Sequence, residues 1–117
     1  MAYRMPGAER RARLGVRHAL APSARAVDPV GAARSVVALH STDPSSVYVS
    51  AWARTRDAHA DVASVQRALY EDRALIRLPA MRRTVFVTPV ARLGDVRLTA
   101  RTRGRTWLEE ELAAGAD

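Results

Sequence analysis

A mainly α-helical domain with one small β-hairpin is the fold class that this sequence of 117 residues predicts. Three observations predict it. Most of the chain repeats apolar residues at spacings of three and four, and Asp-Pro pairs mark helix starts. One short apolar segment and one short β-branched segment flank an arginine-containing connection. The length suits a single domain, and 48% apolar with 26% charged residues predicts a folded chain.

The first two helices are predicted from their ends. Residues 8–20 form a helix that stops before Pro22, because proline disfavours helical backbone in the residue before it. Asp28-Pro29 starts the second helix, since the aspartate can accept from free N–H groups of the first turn and proline needs no donor there. Its apolar spacing extends this helix to Leu39 or His40.

Two further helices complete the helical part. Asp43-Pro44 repeats the start signal, and Tyr48 and Trp52 lie one turn apart on the third helix, which favours a pair in the core over a base-stacking pair. A fourth helix runs from residue 62 to residue 70, with Asp61 as its capping residue.

The pattern changes after the fourth helix. Residues 75–78 are alternating or continuously apolar, and residues 84–88 are β-branched and aromatic, so both predict strands. Residues 79–83 predict the turn that carries Arg82 and Arg83. Residues 90–114 return to helical spacing. Helices followed by a basic hairpin are the order of a winged helix-turn-helix unit, in which the hairpin contacts phosphates or the minor groove.

The basic residues are concentrated in two blocks. Residues 4–25 hold six Arg and one acidic residue, net +5, and residues 76–105 hold eight Arg and one acidic residue, net +7. The stretch between them is near neutral, and the last twelve residues carry four acidic residues and no basic one. This segregation favours a polyanion as partner. A solvated surface in a chain whose basic residues are all Arg is the alternative.

Several classes of protein are excluded. A chain without cysteine has no disulfide, no thiolate metal site and no cysteine nucleophile. Its apolar runs are shorter than the roughly 20 residues of a membrane-spanning helix, and its arginine-rich start is unlike a secretory signal. We therefore expect a cytoplasmic protein with no membrane partner. Asp57, His59 and Asp61 have no second ligand cluster, so neither a metal nor another cofactor is expected.

The segment that ends at Asp43-Pro44 carries the clearest chemical signal. It places the imidazole of His40, two hydroxyls and a carboxylate within four residues. In an extended segment His40 and Thr42 face the same side, where they can hold a water or a sugar oxygen. Histidine can take a proton from water near neutral pH, and threonine can donate or accept one hydrogen bond. Capping explains Asp43 fully, and such clusters are more often caps and turns than catalytic sites.

Four segments carry a resemblance to a known family. They are Asp-Pro-Val-x-x-Ala-Arg-Ser-Val-Val-Ala-Leu-His-Ser-Thr-Asp-Pro from residue 28, Val-Tyr-Val-Ser-Ala-Trp-Ala-Arg from residue 47, Leu-Tyr-Glu-Asp-Arg from residue 69 and Met-Arg-Arg-Thr-Val-Phe-Val from residue 81. Over roughly residues 8 to 112, the sequence resembles the winged-helix DNA glycosylases of the AlkZ/YcaQ type. The resemblance implies binding of double-stranded DNA and excision of alkylated or crosslinked bases by hydrolysis without a metal.

The resemblance also implies the site residues. The family carries Gln-x-Gln, or Gln-x-Asp in one branch, just before Asp-Pro, and this motif is held to position the water that attacks the deoxyribose carbon. His40 and Thr42 occupy those positions here, so we expect them to be the catalytic residues. We expect Arg82 and Arg83, with Arg54 and Arg56, to contact the DNA backbone. A non-catalytic, regulatory DNA-binding module and a protein-interaction domain are the alternatives.

Family members are longer than this chain and are similar to one another in having several tandem winged-helix units. We therefore expect residues 1–117 to form a single N-terminal unit of a longer protein. The other walls of the cavity around the damaged base would then be missing. For that reason we expect the isolated chain to bind DNA weakly, in a salt-sensitive way, and to be inactive.

Overall fold

The computed structural model describes residues 1–56, 61–80, 82, 84–94 and 96. The elements are α1 (Gly7–Arg17), α2 (Pro29–Val36), β1 (Leu39–His40), α3 (Pro44–Ala53), α4 (Val62–Gln66), β2 (Leu75–Pro79) and β3 (Val85–Pro89). A π-helical turn, Arg67–Glu71, continues α4, and short 3-10 turns occupy Pro22–Ala24 and Val90–Arg92. The fold is mainly helical with a small antiparallel sheet. This confirms the predicted fold class and is compatible with a winged-helix-like arrangement.

Aspartate caps start three of the helices. Asp28 Oδ1 accepts from the Gly31 N–H at 2.7 Å, Asp43 Oδ1 from Ser45 at 2.9 Å and Asp61 Oδ1 from Ser64 at 2.8 Å. Each bond satisfies a donor that the first helical turn leaves free. The predicted starts of α2, α3 and α4 are therefore confirmed, and the local sequence alone is sufficient to fix them.

The end of α2 differs from the prediction. The helix stops at Val36, and Val37 has a φ of 74°, a left-handed value that a helix cannot continue through. Leu39 and His40 form strand β1 instead of a last helical turn. The prediction of helix up to Leu39 or His40 was wrong because pairing with a distant strand decides the conformation, and a two-residue strand has no pattern of its own.

The sheet has the strand order β1-β3-β2, and both pairs are antiparallel. Leu39 lies opposite Val87, and His40 lies opposite Phe86. On the other side of β3, Leu78 is also the partner of Phe86. The hairpin between β2 and β3 is therefore the predicted one, and β1 extends its sheet by one strand. The segment that contains His40 is thus fixed to the hairpin.

The core lies between the sheet and helices α2, α3 and α4. Its buried members are Ala33, Leu39, Val47, Ala51, Val65, Ala68, Leu69, Leu75 and Val87. Tyr48 packs against this cluster, whereas Trp52 is 62% exposed. The prediction that Tyr48 and Trp52 form a core pair was wrong for Trp52, because apolar spacing on a helix indicates a face but not how far that face extends.

The N-terminal helix differs from the others because α1 has no buried residue. It ends at Arg17, three residues earlier than predicted, and Ala19, which follows, is buried with a φ of 56°. Of the predicted helix over residues 90–114, the structure describes residues 90–94 and 96, and it begins with the 3-10 turn Val90–Arg92. The rest of the predicted helix lies outside the described residues.

Candidate functional site

Residues 39–42 alternate between the core and the surface. Leu39 and Ser41 are each 3% exposed, whereas His40 and Thr42 lie at the surface. The alternation follows from the extended backbone of β1, in which successive side chains point to opposite faces. His40 and Thr42 therefore share the outward side of the segment, and Leu39 and Ser41 share the inward side.

The His40 ring is held by an aromatic neighbour. Its centroid lies 5.2 Å from that of Phe86, at an interplanar angle of 77°. This is an edge-to-face contact, an arrangement that aromatic rings favour. It restrains the imidazole while leaving the residue exposed. The sequence alone does not single out Phe86, because the pair forms only once β1 lies beside β3.

Thr42 lies at the junction between β1, β3 and the start of α3. Its Oγ1 accepts a hydrogen bond from the Val85 N–H at 3.2 Å, and the neighbouring Ser41 N–H donates to the Val85 carbonyl at 2.7 Å. A hydroxyl that accepts one bond still has its own proton to donate. Thr42 is thus anchored to the first residue of β3 and can donate to a water or a sugar oxygen at the surface.

Asp43 has the capping role that the sequence favoured. Its Oδ1 accepts from the Ser45 N–H at 2.9 Å and from the Ser45 Oγ at 2.8 Å. The bond from the hydroxyl, and to a smaller extent the bond from the backbone N–H, hold the pKa of Asp43 below its usual range. The carboxylate is therefore ionised near neutral pH and is committed to the first turn of α3.

The basic turn of the hairpin comes just before Val85, the residue that Thr42 bonds. The Ala80 N–H donates to the Thr84 carbonyl at 2.9 Å across the turn, and Arg82 is exposed with a φ of 56°. Arg82 precedes Val85 by three residues, so at most about 11 Å separates their Cα atoms. The turn is therefore near Thr42, which bonds Val85. Arg83 lies outside the described residues.

Arg54 and Arg56 are engaged with the segment after α1. The Arg54 Nε donates to the His18 carbonyl at 3.0 Å and its Nη1 to the Ser50 carbonyl at 3.1 Å. The Arg56 Nε donates to the Arg25 carbonyl at 2.9 Å. Partial burial lowers the pKa of Arg54. Both side chains therefore connect α3 to the N-terminal segment, a role that spacing in the sequence did not reveal.

Outside His40 and Thr42, the described part of the chain has a pocket but no candidate metal site. A pocket of about 270 Å³ between the end of α4 and β2 does not include His40 or Thr42. Its lining residues are Leu69, Tyr70, Arg73, Leu75, Ile76, Arg77 and Val90. Among the described residues, no group of three His, Asp or Glu side chains is placed to hold a metal ion. In the same residues, no helix has the length and apolar character needed to cross a membrane.

Comparison with protein families bears on these residues. Residues 33–117 match the family described as DNA glycosylase AlkZ-like. The chain belongs to the AlkZ-like family. The matched region of this AlkZ-like chain includes β1, the His40–Thr42 junction, α3 and both strands of the hairpin. It excludes α1.

Membership relates the AlkZ-like chain to DNA glycosylases, and so to enzymes of DNA repair that act on DNA. No curated protein and no solved structure matches the chain significantly. The roles proposed for individual residues therefore rest on the geometry of the junction between β1, α3 and β3.

Proposed function

We propose that this chain is a DNA-binding unit of a DNA glycosylase that hydrolyses the bond between an alkylated or crosslinked base and its deoxyribose. The observation that carries the proposal is the outward placement of His40 and Thr42 beside the basic hairpin turn, in a chain of the AlkZ-like family. Double-stranded DNA is the proposed partner. A cytoplasmic location belongs to the same proposal.

The chemistry needs one water and no metal in this proposal. The water oxygen attacks C1′ of the deoxyribose, the C1′–N bond breaks, and the base leaves with the bonding electrons. An alkylated purine that carries a positive charge leaves as a neutral base. The proton of the attacking water passes to the imidazole of His40 and then to solvent, which is general-base catalysis. The hydroxyl proton of Thr42 hydrogen-bonds the water and orients it.

The backbone contacts come from guanidinium groups, which match phosphate oxygens in pairs. Arg82, and Arg83 beside it in sequence, would hold a phosphate near the sugar that His40 approaches. Arg54 and Arg56 use their Nε atoms within the fold. For these two residues, a phosphate contact is proposed only through the remaining donors of each guanidinium group.

A non-catalytic DNA-binding module is the second candidate. The observation that favours it is the His-x-Thr sequence at positions 40 and 42, where the resemblance leads one to expect Gln-x-Gln. Threonine has a shorter reach than glutamine, and its hydroxyl already accepts from Val85. In this function the junction would contact the DNA backbone without handling water.

The test compares the affinity of the chain for two duplexes that differ at one position. One duplex is intact, and the other carries a stable abasic-site analogue, which exposes the sugar. If His40 approaches the deoxyribose, the chain binds the abasic duplex more tightly, and His40→Ala removes that preference while leaving affinity for the intact duplex unchanged. We expect a preference of up to about tenfold, roughly the worth of a single good hydrogen bond.

His18→Ala is the matched control, because it removes another exposed imidazole outside the junction. It should keep the preference for the abasic duplex. Equal affinity of the unmodified chain for the two duplexes would favour the non-catalytic module. Failure to bind either duplex at low salt would favour a protein-interaction domain.

A further inference from the structure

We infer that α1 is a second DNA-backbone contact, made by a stripe of three arginines, Arg10, Arg13 and Arg17, on its outward face. The inference rests on the proposed DNA-binding function and extends it to a helix that lies outside the region matched by the family. The ligand is the phosphate backbone of duplex DNA.

The three arginines share one face because they are spaced at i, i+3 and i+7. Gly15 lies on roughly the opposite side of the helix, about 140 to 200° around the axis from each of them. That side faces the rest of the chain, since a Cβ built on Gly15 would lie 3.7 Å from the Ala21 Cβ. The arginine stripe therefore points away from the segment against which α1 packs.

Two arginines of the stripe are unengaged. Arg13 forms an ion pair with Glu9, the one acidic residue of the helix. In the part of the chain that the structure describes, the side chains of Arg10 and Arg17 make no hydrogen bond and no ion pair. Their Cα atoms are about 10 Å apart along the helix axis, and one DNA strand presents a phosphate about every 3.4 Å along its axis. Two separate phosphates are thus within the span of the stripe.

The helix is also held in place at its C-terminal end, which favours a defined contact over a loose basic tail. The Arg54 guanidinium donates to the His18 carbonyl, and Arg56 donates to the Arg25 carbonyl. Two backbone hydrogen bonds add to this attachment. The Ala26 N–H donates to the Arg54 carbonyl at 2.8 Å, and the Arg56 N–H donates to the Ala26 carbonyl at 2.9 Å. Arg54 and Arg56 are therefore positioning residues for the segment that carries α1.

A lipid surface is the other polyanion that a basic helix can bind, and the apolar residues of α1 argue against it. Membrane-surface helices present one continuous apolar face. Leu14 and Val16 are both exposed but project about 160° apart around the axis. The helix therefore has a basic face without a matching apolar face, which suits DNA and not insertion among lipids.

The experiment compares two double variants of the full chain that lose the same charge. Arg10→Gln with Arg17→Gln alters the stripe, and Arg4→Gln with Arg11→Gln alters exposed arginines outside it. Binding to an intact duplex is measured by anisotropy at increasing salt. The stripe variant should bind about tenfold more weakly at low salt, and its slope of log affinity against log salt should fall by about two. The control variant should stay within about twofold of the unmodified chain.

Arg10→Lys with Arg17→Lys keeps the charge and should retain binding, which shows that a loss with glutamine is electrostatic. Equal weakening by the stripe and control variants would overturn the inference while leaving DNA binding intact. Absence of duplex binding by the unmodified chain would overturn the proposed function and this inference together. Stripe-dependent binding to anionic phosphatidylserine vesicles, with duplex affinity unchanged, would overturn it in favour of lipid.

Discussion

Within residues 39–42, the inward side chains of Leu39 and Ser41 are 3% exposed, whereas those of His40 and Thr42 lie at the surface. The inward pair faces the core, where Leu39 lies opposite Val87. The outward pair contacts Phe86 and the Val85 N–H. Neighbouring residues of one short segment thus serve either folding or the proposed function, so single substitutions can separate the two.

A substitution on the inward side should change stability most. Leu39→Ala should lower the free energy of unfolding by about 2 to 5 kcal/mol, because it leaves a cavity in a packed core. His40→Ala, one residue away, should cost less than about 1 kcal/mol, since it removes an exposed ring and one aromatic contact. Urea unfolding monitored by circular dichroism measures both. Similar losses for the two variants would mean that the two sides are not separable.

Thr42→Val tests how firmly the outward side is attached to the hairpin. It removes the acceptor of the Val85 N–H and should lower the free energy of unfolding by about 1 kcal/mol. Thr42→Ser keeps an acceptor oxygen and is the control, with a smaller loss expected. If valine is as stable as threonine in the same unfolding experiment, the bond to Val85 does not contribute.

Ser41→Ala should have a small effect of the opposite sign. The Ser41 Oγ is buried and has no hydrogen-bond partner among the described residues. Removing it takes away an unpaired polar atom, so the free energy of unfolding should stay unchanged or rise by up to about 1 kcal/mol. A clear loss of stability would show that the hydroxyl is bonded to a group such as an internal water.

The smallest effect is on how the free energy of unfolding depends on pH in acid. Hydrogen bonds from Ser45 hold the pKa of Asp43 below its usual range in the folded chain. The carboxylate therefore stabilises the fold above the unfolded pKa of about 4, and this contribution is lost as pH falls through the lower folded value. Asp43→Asn keeps an acceptor but does not titrate, so its stability should fall less steeply with acid. Identical pH profiles for the two proteins would contradict the capping account.

Much of the fold could be predicted because its signals are local. The aspartate caps of α2, α3 and α4 depend on residues two or three positions away. Strand β3 is recognisable from its β-branched and aromatic residues, and β2 from its short apolar run. Strand β1 could not be predicted, because its two residues take their conformation from pairing with Val87 and Phe86, more than forty positions later.

The same difference applies to the candidate site. His40 and Thr42 could be singled out from adjacent residue types and from the resemblance to a family. Phe86, and the His18 and Arg25 carbonyls that Arg54 and Arg56 bond, could not, because those contacts join residues that are 31 or more positions apart. Residue types indicate which side chains have useful chemistry, and only the folded chain shows which of them are already engaged.

The most direct test of whether His40 approaches the deoxyribose is a nuclear magnetic resonance titration of the chain with the abasic duplex. The account predicts that the His40 imidazole signals shift in proportion to the bound fraction, while the Leu39 methyl signals stay in place. Shifts confined to other parts of the chain, with the His40 imidazole unchanged at saturation, would contradict it.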